Sequence, residues 1–523
     1  MFDFLMLYLK LKNDIMRKSP ISLAMVMVSA MFGCASVYAQ PMQSSVRNYI
    51  DSVAGSEPLR SSLFSVLAVN SAGDTLAVYN SSAKMLPASN TKLITTGTAL
   101  CALGPDFRFK TEIGYSGRIK NGTLYGDIYI IGGGDPTIAS SDSIAVPADS
   151  LFSEWESFIS GAGIRKIKGR IIGDGRYFDG PIENGSWAYD DLGTDYGTGG
   201  NGLCFFENVQ QFSVAPGDLP GDPVKISPLY PDNRVIDFRN NAVTTEAGKG
   251  DGLVLVNTDM CPVAEIRGGY AVDEKPSVEN FSNKFGAFTC ASAFSDYLVS
   301  KGLYVTGDPA DIDAGNALDA VLRVNLSGSN HSYDNCRINI LGETYSAPLE
   351  DIIKSTNYKS DNFYAETLLR TLGKNMTGSS VYDSCIVAEN NVLESMGIDI
   401  SRGVRLVDGS GLSRHDYVSP DFFCRFLGAM AETDFFDCYL HSLPQPGSGT
   451  LSRRLPGRPE SVRKRIHMKS GSMDGVLCYS GYIIPEDGDE DNLVIFSIMT
   501  NNCVSSYSAV ASVIDGILEK LVQ

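Results

Sequence analysis

The chain has 523 residues, 43% of them hydrophobic and 20% charged, so it is globular and too long for one ordinary domain; two or three are expected. Its formal charge of −18 argues against nucleic acid as a partner, and against more than peripheral association with an anionic membrane surface.

The N-terminus reads as an export signal displaced inward. Met16-Arg17-Lys18 is a short basic region, Ile21 to Phe32 an apolar run, and Val37-Tyr38-Ala39 offers small residues for cleavage before Gln40. This reading starts the protein at Met16, makes residues 1–39 the signal peptide and sends the product to the periplasm. The run is too short to span a membrane comfortably. An uncleaved anchor competes, and lipid attachment at Cys34 is weaker because Phe32 is bulky where such motifs prefer small residues. No later segment reads as transmembrane. The eleven cysteines are scattered, with no C-x-x-C pair, and read as small buried apolar residues.

Residues 46–58 predict a helix, and Leu63–Asn70 and Thr75–Tyr79 two strands around Ser71-Ala72-Gly73-Asp74. After a loop ending at Pro87, Ser89 opens a helical run with apolar Leu93, Ile94, Ala99 and Leu100, stopped by Gly104-Pro105. Ser89 and Lys92 share a face at i, i+3. A serine hydroxyl needs a base to become a nucleophile, and a desolvated lysine amine can serve. The helix N-terminus adds free N–H groups beside the oxygen. Alone the spacing says little: it recurs at Ser81/Lys84 and Ser461/Lys464, and a serine before an apolar helix is usually an N-cap.

Past residue 105 the texture changes. Phe109–Ile119 and Thr123–Ile131 alternate around Asn121-Gly122 and predict one hairpin. There follow the loop Gly132–Pro136, a helix near 148–160, a strand through Lys168–Ile172, and an aspartate- and aromatic-rich stretch from Trp187 to Asn208. Five prolines between 215 and 231 lead toward a further small β unit, and a helix near 287–301 brings the chain back. Helices then dominate: Leu349–Asn357, Asn362–Leu372, 380–396 and Pro420–Ala431. Ile466–Lys469, Leu477–Ile484 and Leu493–Thr500 predict three strands before a last helix from Ser505 to Leu521. Five strands flanked by terminal helices indicate one α/β domain, split by a large, mainly β insertion.

Two further motifs give Ser89 its context. Ser360-Asp361-Asn362 begins a helix, and Lys469-Ser470-Gly471-Ser472 lies on a strand. Ser-x-x-Lys, Ser-x-Asn and Lys-[Ser/Thr]-Gly, in that order, form the motif set of β-lactamases and penicillin-binding proteins. Ser-x-Asn also occurs at Ser355/Asn357, whereas Lys-[Ser/Thr]-Gly occurs once.

With PASNTK (87–92), GGGDPTI (132–138), SDNFYAE (360–366), DGSGLSRH (408–415), Gly449-Thr450-Leu451 and KSGSMDG (469–475), the chain resembles the D-alanyl-D-alanine carboxypeptidase/endopeptidase family, the class C low-molecular-mass penicillin-binding proteins. Ser470 stands where the family often has threonine and keeps the hydroxyl. The 267 residues between Lys92 and Ser360 suit that family and not the β-lactamases, which have no such block. The resemblance implies a β-lactamase/transpeptidase-like domain over 40–104 and 320–523, an inserted domain over 105–215 and 286–319, and a third nested at 216–285. It implies Ser89 as nucleophile, Lys92 as base, Ser360 as proton relay, and Asn362 as the positioner of Lys92 and the substrate amide. Lys469 and Ser470 would bind the terminal carboxylate, and the N–H groups of Ser89 and Ser472 would form the oxyanion hole. Within Trp187-Ala188-Tyr189-Asp190-Asp191-Leu192, Asp191 would reach the amine of a peptide diamino acid, with Asp190 its rival.

The implied partners are peptidoglycan peptides and β-lactam inhibitors, with no cofactor and no metal. A β-lactamase and a silent peptidoglycan-binding protein are the alternatives, and carboxypeptidase and endopeptidase action both fit. A Ser-His-Asp hydrolase has only His331, His415, His441 and His467 to draw on and no G-x-S-x-G elbow; no H-E-x-x-H appears. Asp487–Asp491 imitates the start of a calcium loop, but Asn492 and Ile498 stand where glycine and glutamate are needed, so a hairpin turn is expected.

Overall fold

A computed structural model describes residues 44–232, 236–312, 337–486 and 492–522. The export segment, Cys34, His331 and the acidic turn at 487–491 lie outside the described residues. Among the described residues no helix is long and apolar enough to cross a membrane, and the cysteines are free thiols.

The split domain is built on β1 (Leu63–Asn70), β2 (Thr75–Tyr79), β3 (Ile466–Met473), β4 (Val476–Ile483) and β5 (Val494–Asn501), in the order β2-β1-β5-β4-β3 with every neighbour antiparallel. Leu63 pairs with Asn501, so the register joins the two ends of the chain. β4 is buried at all eight positions because both faces are covered. Its odd residues, Leu477, Tyr479 and Ile483, pack with Val46 and Ile50 of the helix over 44–54 and with Ile514 and Leu518 of the last helix, Tyr507–Leu521. Its even residues, Val476, Cys478 and Tyr482, face Leu93, Phe422 and Phe426. Period-two alternation thus serves two cores at once.

Helix starts follow their caps. Asp361 accepts the N–H of Tyr364 at 2.8 Å and starts Asn362–Thr377, while Ser419 accepts that of Phe422 at 3.2 Å and starts Pro420–Ala431.

The insertion departs from the predicted single hairpin. Asn121-Gly122 does turn the chain, pairing Arg118 with Tyr125. Both arms then break, near residues 116–117 and 126–127, and cross between two sheets. Lys110–Tyr115 and Ile128–Ile131 enter a five-stranded sheet, and Arg118–Lys120 and Thr123–Tyr125 a four-stranded one. Asn339–Tyr345, expected in the catalytic domain, pairs antiparallel with Lys110–Tyr115 instead. Trp155 secures that edge, its indole donating to Thr344 Oγ1 at 3.1 Å. The boundary expected at 320 falls outside the described residues, and the chain re-enters the catalytic domain only at the helix Leu349–Lys359.

The nested β unit begins with Val209–Ala215, just ahead of the expected 216. Two three-stranded sheets there enclose Phe212, Val214, Leu255, Ile266 and Phe281.

Candidate active site

The turn bearing Ser89 is held from three sides. Ala88–Asn90 is a single 3-10 turn running directly into the helix Thr91–Leu103, with Ala88 in the left-handed region at φ +46°. Ser89 makes no cap bond, which leaves its hydroxyl for Lys92. Asn90 Nδ2 donates to Ser480 Oγ at 2.9 Å, and Ser480 donates on to Ser497 at 2.8 Å, tying the turn to β4 and β5. Gly471 and Gly411 permit the close approach of the other two elements. A Cβ on Gly471 would lie 2.4 Å from the Pro87 carbonyl, and one on Gly411 1.9 Å from that of Ala88.

Lys92 is fully buried. Its Nζ lies 3.1 Å from Ser89 Oγ, 2.6 Å from Asn362 Oδ1 and 2.8 Å from the Ser410 carbonyl. Burial lowers its pKa to about 8, against the opposing pull of Asp408, Glu366 and Asp361. Lys469 is equally buried and donates to Ser360 Oγ at 2.8 Å and to the Ser470 carbonyl at 2.7 Å. Burial first, and then the charge of Lys92, push its pKa well below the ordinary lysine value. Desolvation is thus what lowers Lys92, and the repulsion between the two amines falls on Lys469.

Ser360 occupies a left-handed backbone position, φ +61°, at the junction of two helices, with Asp361 capping the second. Asn362 then turns both ends of its amide to use. Oδ1 accepts from Lys92, and Nδ2 donates to the Tyr196 carbonyl of the insertion at 3.0 Å.

Several supporting residues carried no prediction. Glu366, one turn beyond Asn362 on the same face, accepts the N–H groups of Gly409 (3.1 Å) and Ser410 (2.7 Å), fixing the carbonyl that Lys92 uses. The i, i+4 spacing of a glutamate behind Asn362 was the available signal. Asp408 accepts from Gly411 N, Ser413 N and the indole of Trp187. Buried Arg370 donates to the carbonyls of Pro181, Gly200 and Asp179, pinning the insertion's loop against the catalytic helix.

A cavity of about 480 Å³ opens over this group, lined by Ser89, Ser360, Asn362, Ser472, Asp190 and Asp191. Asp191 Oδ1 lies 3.3 Å from the Tyr196 hydroxyl. Burial and then Asp190 raise its pKa, with Arg414 opposing. Ser470 Oγ donates to Thr450 Oγ1 at 3.0 Å. The other Ser-x-x-Lys pairs lie apart: Lys84 is exposed, and Lys464 pairs with Glu460 on the surface. His415 is exposed, and His467 is occupied by the Leu440 carbonyl and Gln445.

A model of the D-Ala-D-Ala carboxypeptidase 3 (S13) family matches residues 46–521. The chain belongs to that family. As an S13 protein it is 27% identical over 469 residues to the D-alanyl-D-alanine carboxypeptidase of Actinomadura sp. (strain R39), covering 87% of this chain and 81% of the relative. The crystal structure of penicillin-binding protein 4 (DacB) from Haemophilus influenzae has the same fold, with a TM-score of 0.73 at 24% identity over 88% of this chain and 97% of that one. A structure of that protein complexed with a β-lactam matches at 0.70 and 22% identity, over 90% and 100% of the two chains. The split five-stranded domain is thus the β-lactamase/transpeptidase-like fold expected, and this S13 chain is an enzyme of the D-Ala-D-Ala carboxypeptidase class.

Proposed function

We propose that this S13 enzyme acts on peptidoglycan stem peptides, releasing terminal D-Ala or cutting D-Ala cross-links, through an acyl-enzyme on Ser89. The observation that carries this reading is the line from Ser89 Oγ through Lys92 Nζ to Asn362 Oδ1, at 3.1 and 2.6 Å. Neutral Lys92 takes the Ser89 proton as Oγ attacks the carbonyl of the penultimate D-Ala. The oxyanion is met by the N–H groups of Ser89 and Ser472; loss of one such donor costs about 3 kcal/mol in comparable sites. The C–N bond then breaks, the proton reaching the departing amine through Ser360. Water hydrolyses the ester and restores Ser89.

Lys469 and the Ser470 hydroxyl take the substrate's terminal carboxylate. An anion there favours the charged form of Lys469, and that charge favours the neutral form of Lys92, so binding prepares the base. Asp191 faces the amine of the diamino acid. A β-lactam offers an amide and a carboxylate in a similar relation but keeps its leaving nitrogen tethered, so the acyl-enzyme persists. That the Haemophilus protein of the same fold has been crystallised in complex with a β-lactam supports β-lactam binding. Peptidoglycan lies outside the cytoplasmic membrane, which accords with export through residues 1–39.

The test is covalent labelling by a fluorescent penicillin. A stable adduct is expected, and Ser89→Ala abolishes it. Labelling that persists, or moves to Ser81, would sink Ser89 as nucleophile, and rapid release of the label would identify a β-lactamase.

A further inference from the structure

A second groove, of about 750 Å³, continues from the first cavity past the end of β3. The two share Arg414, Met473 and Asp474, and the second includes neither Ser89 nor Ser360. We infer that this groove binds the sugar end of the substrate strand, the L-alanine and the N-acetylmuramoyl residue that carry the stem peptide, so that the enzyme favours stems still joined to their sugar.

The inference rests on the acyl-enzyme reading, which fixes the direction of the bound peptide. Its terminal carboxylate lies at Lys469 and Ser470, and its reacting carbonyl at Ser472. The diamino acid before that carbonyl falls at Met473 and Asp474, which line the first cavity together with Asp191. β3 is the outermost strand of its sheet, so a peptide running back along it leaves at Met473, where the strand ends. There the chain turns through Gly475, in the left-handed region at φ +72°, and the groove opens beyond. Its floor is rigid: Cys503 N donates to the Gly475 carbonyl at 3.0 Å, joining this turn to the loop after β5.

The lining decides the chemical class. Arg414, its one cation, stands at the junction, where the acidic second residue of the stem falls. Past Arg414 and Asp474 no lining side chain is charged. Asn502 and Ser505 offer hydrogen bonds there, and Val504 and Tyr507 offer apolar surface, 99% and 55% exposed. The Tyr507 hydroxyl lies 3.1 Å from that of Tyr479, which fixes the ring. An anchored, half-exposed ring beside an amide and a hydroxyl suits an N-acetylated sugar, whose C–H faces are apolar and whose rim is polar. A second charged peptide would find no partner.

The experiment compares kcat/KM for three substrates that end in the same three residues: an N-acetylated tripeptide, the free pentapeptide and the N-acetylmuramoyl-pentapeptide. Wild type should prefer the muramoyl substrate to both others by about tenfold, the worth of partly covering Val504 and Tyr507. Val504→Ser and Tyr507→Ala should each cut that preference about threefold, and the double variant should abolish it. Tripeptide cleavage and penicillin labelling should stay within about twofold throughout. Val504→Ser, at a wholly exposed position, decides the matter if Tyr507→Ala loses labelling. Equal rates of wild type on the three substrates would overturn the inference. So would a preference already complete with the free pentapeptide, one that the variants keep, or equal losses on all three substrates. Each of these leaves the acyl-enzyme reading standing. A wild type that neither labels nor cleaves any of them brings down the Ser89 reading, and the inference with it.

Discussion

Trp187 donates its indole N–H to Asp408 Oδ2 across 2.9 Å, with 7% of the tryptophan and none of the aspartate exposed. The bond joins the insertion to the loop that presents the Ser410 carbonyl to Lys92, a task for Trp187 besides flanking Asp191. Trp187→Phe keeps a ring in place and deletes the donor. Losing a hydrogen bond to a charged group costs about 1.5–3 kcal/mol. A lower Tm should accompany slower penicillin acylation, because the loop behind Lys92 loosens. If both stay unchanged, the bond holds nothing.

The two lysines predict a particular pH signature. Acylation needs neutral Lys92, so at low substrate its rate should rise with pH around a midpoint of about 8. With a carboxylate-bearing peptide at saturation, Lys469 is charged, and a neighbouring cation lowers a lysine pKa. The single-turnover midpoint should therefore move below that of the free enzyme, and Lys469→Gln should move it back up. A saturating midpoint at or above the free-enzyme value would refute the coupling.

Asp191 lines the cavity over Ser89, near the Tyr196 hydroxyl. Asp191→Asn should lower kcat/KM for peptides with a free side-chain amine and hardly change penicillin acylation, which lacks that amine. An exposed carboxylate–ammonium pair is worth under ~1 kcal/mol, and a shielded one several-fold more. A drop of about five- to thirtyfold therefore marks a shielded contact. Equal falls in both reactions would make Asp191 structural, and a response only in Asp190→Asn would transfer the contact to its neighbour.

Glu389 is buried behind the site, and burial raises its pKa from 4.5 to about 8. The folded state thus holds this proton more tightly than the unfolded chain. The stability it contributes is full below pH 4.5 and is lost as pH rises through about 8. Thermal unfolding of wild type should show Tm falling between pH 5 and 8. Glu389→Gln, whose amide oxygen can still accept from Thr98, should show a shallower fall. Parallel curves would mean that other groups set the slope.

The elements of the split domain were legible where burial or capping dictates them. Leu63–Asn70 and Pro420–Ala431 have the limits their patterns predict, because one has a paired central position and the other has Ser419 before Pro420. The three motifs converge because each lies on rigid structure. The breaks near 116 and 126 leave no mark in the sequence, since alternation persists when a strand passes from one sheet to the next. The short helix Phe436–Ser442 had too few residues for a period. Glu366 acts through the remote backbone of Gly409 and Ser410, and Trp187 through the remote side chain of Asp408, and no local pattern names the partner of a buried polar side chain.

The pairing of β1 with β5 also dictates a chronology. Lys92 and the strand before it leave the ribosome long before Ile466–Asn501, the segment that carries Lys469 and completes the sheet. Until then the first hairpin has one unsatisfied edge and no neighbour in sequence to cover it, a state open to mispairing. The intervening units, whose contacts are closer in sequence, can mature meanwhile. A nascent chain halted before Val494 would hold Ser89, Lys92 and Asn362 and still lack the strand beside β1, so catalytic competence waits for a segment made some four hundred residues after the nucleophile.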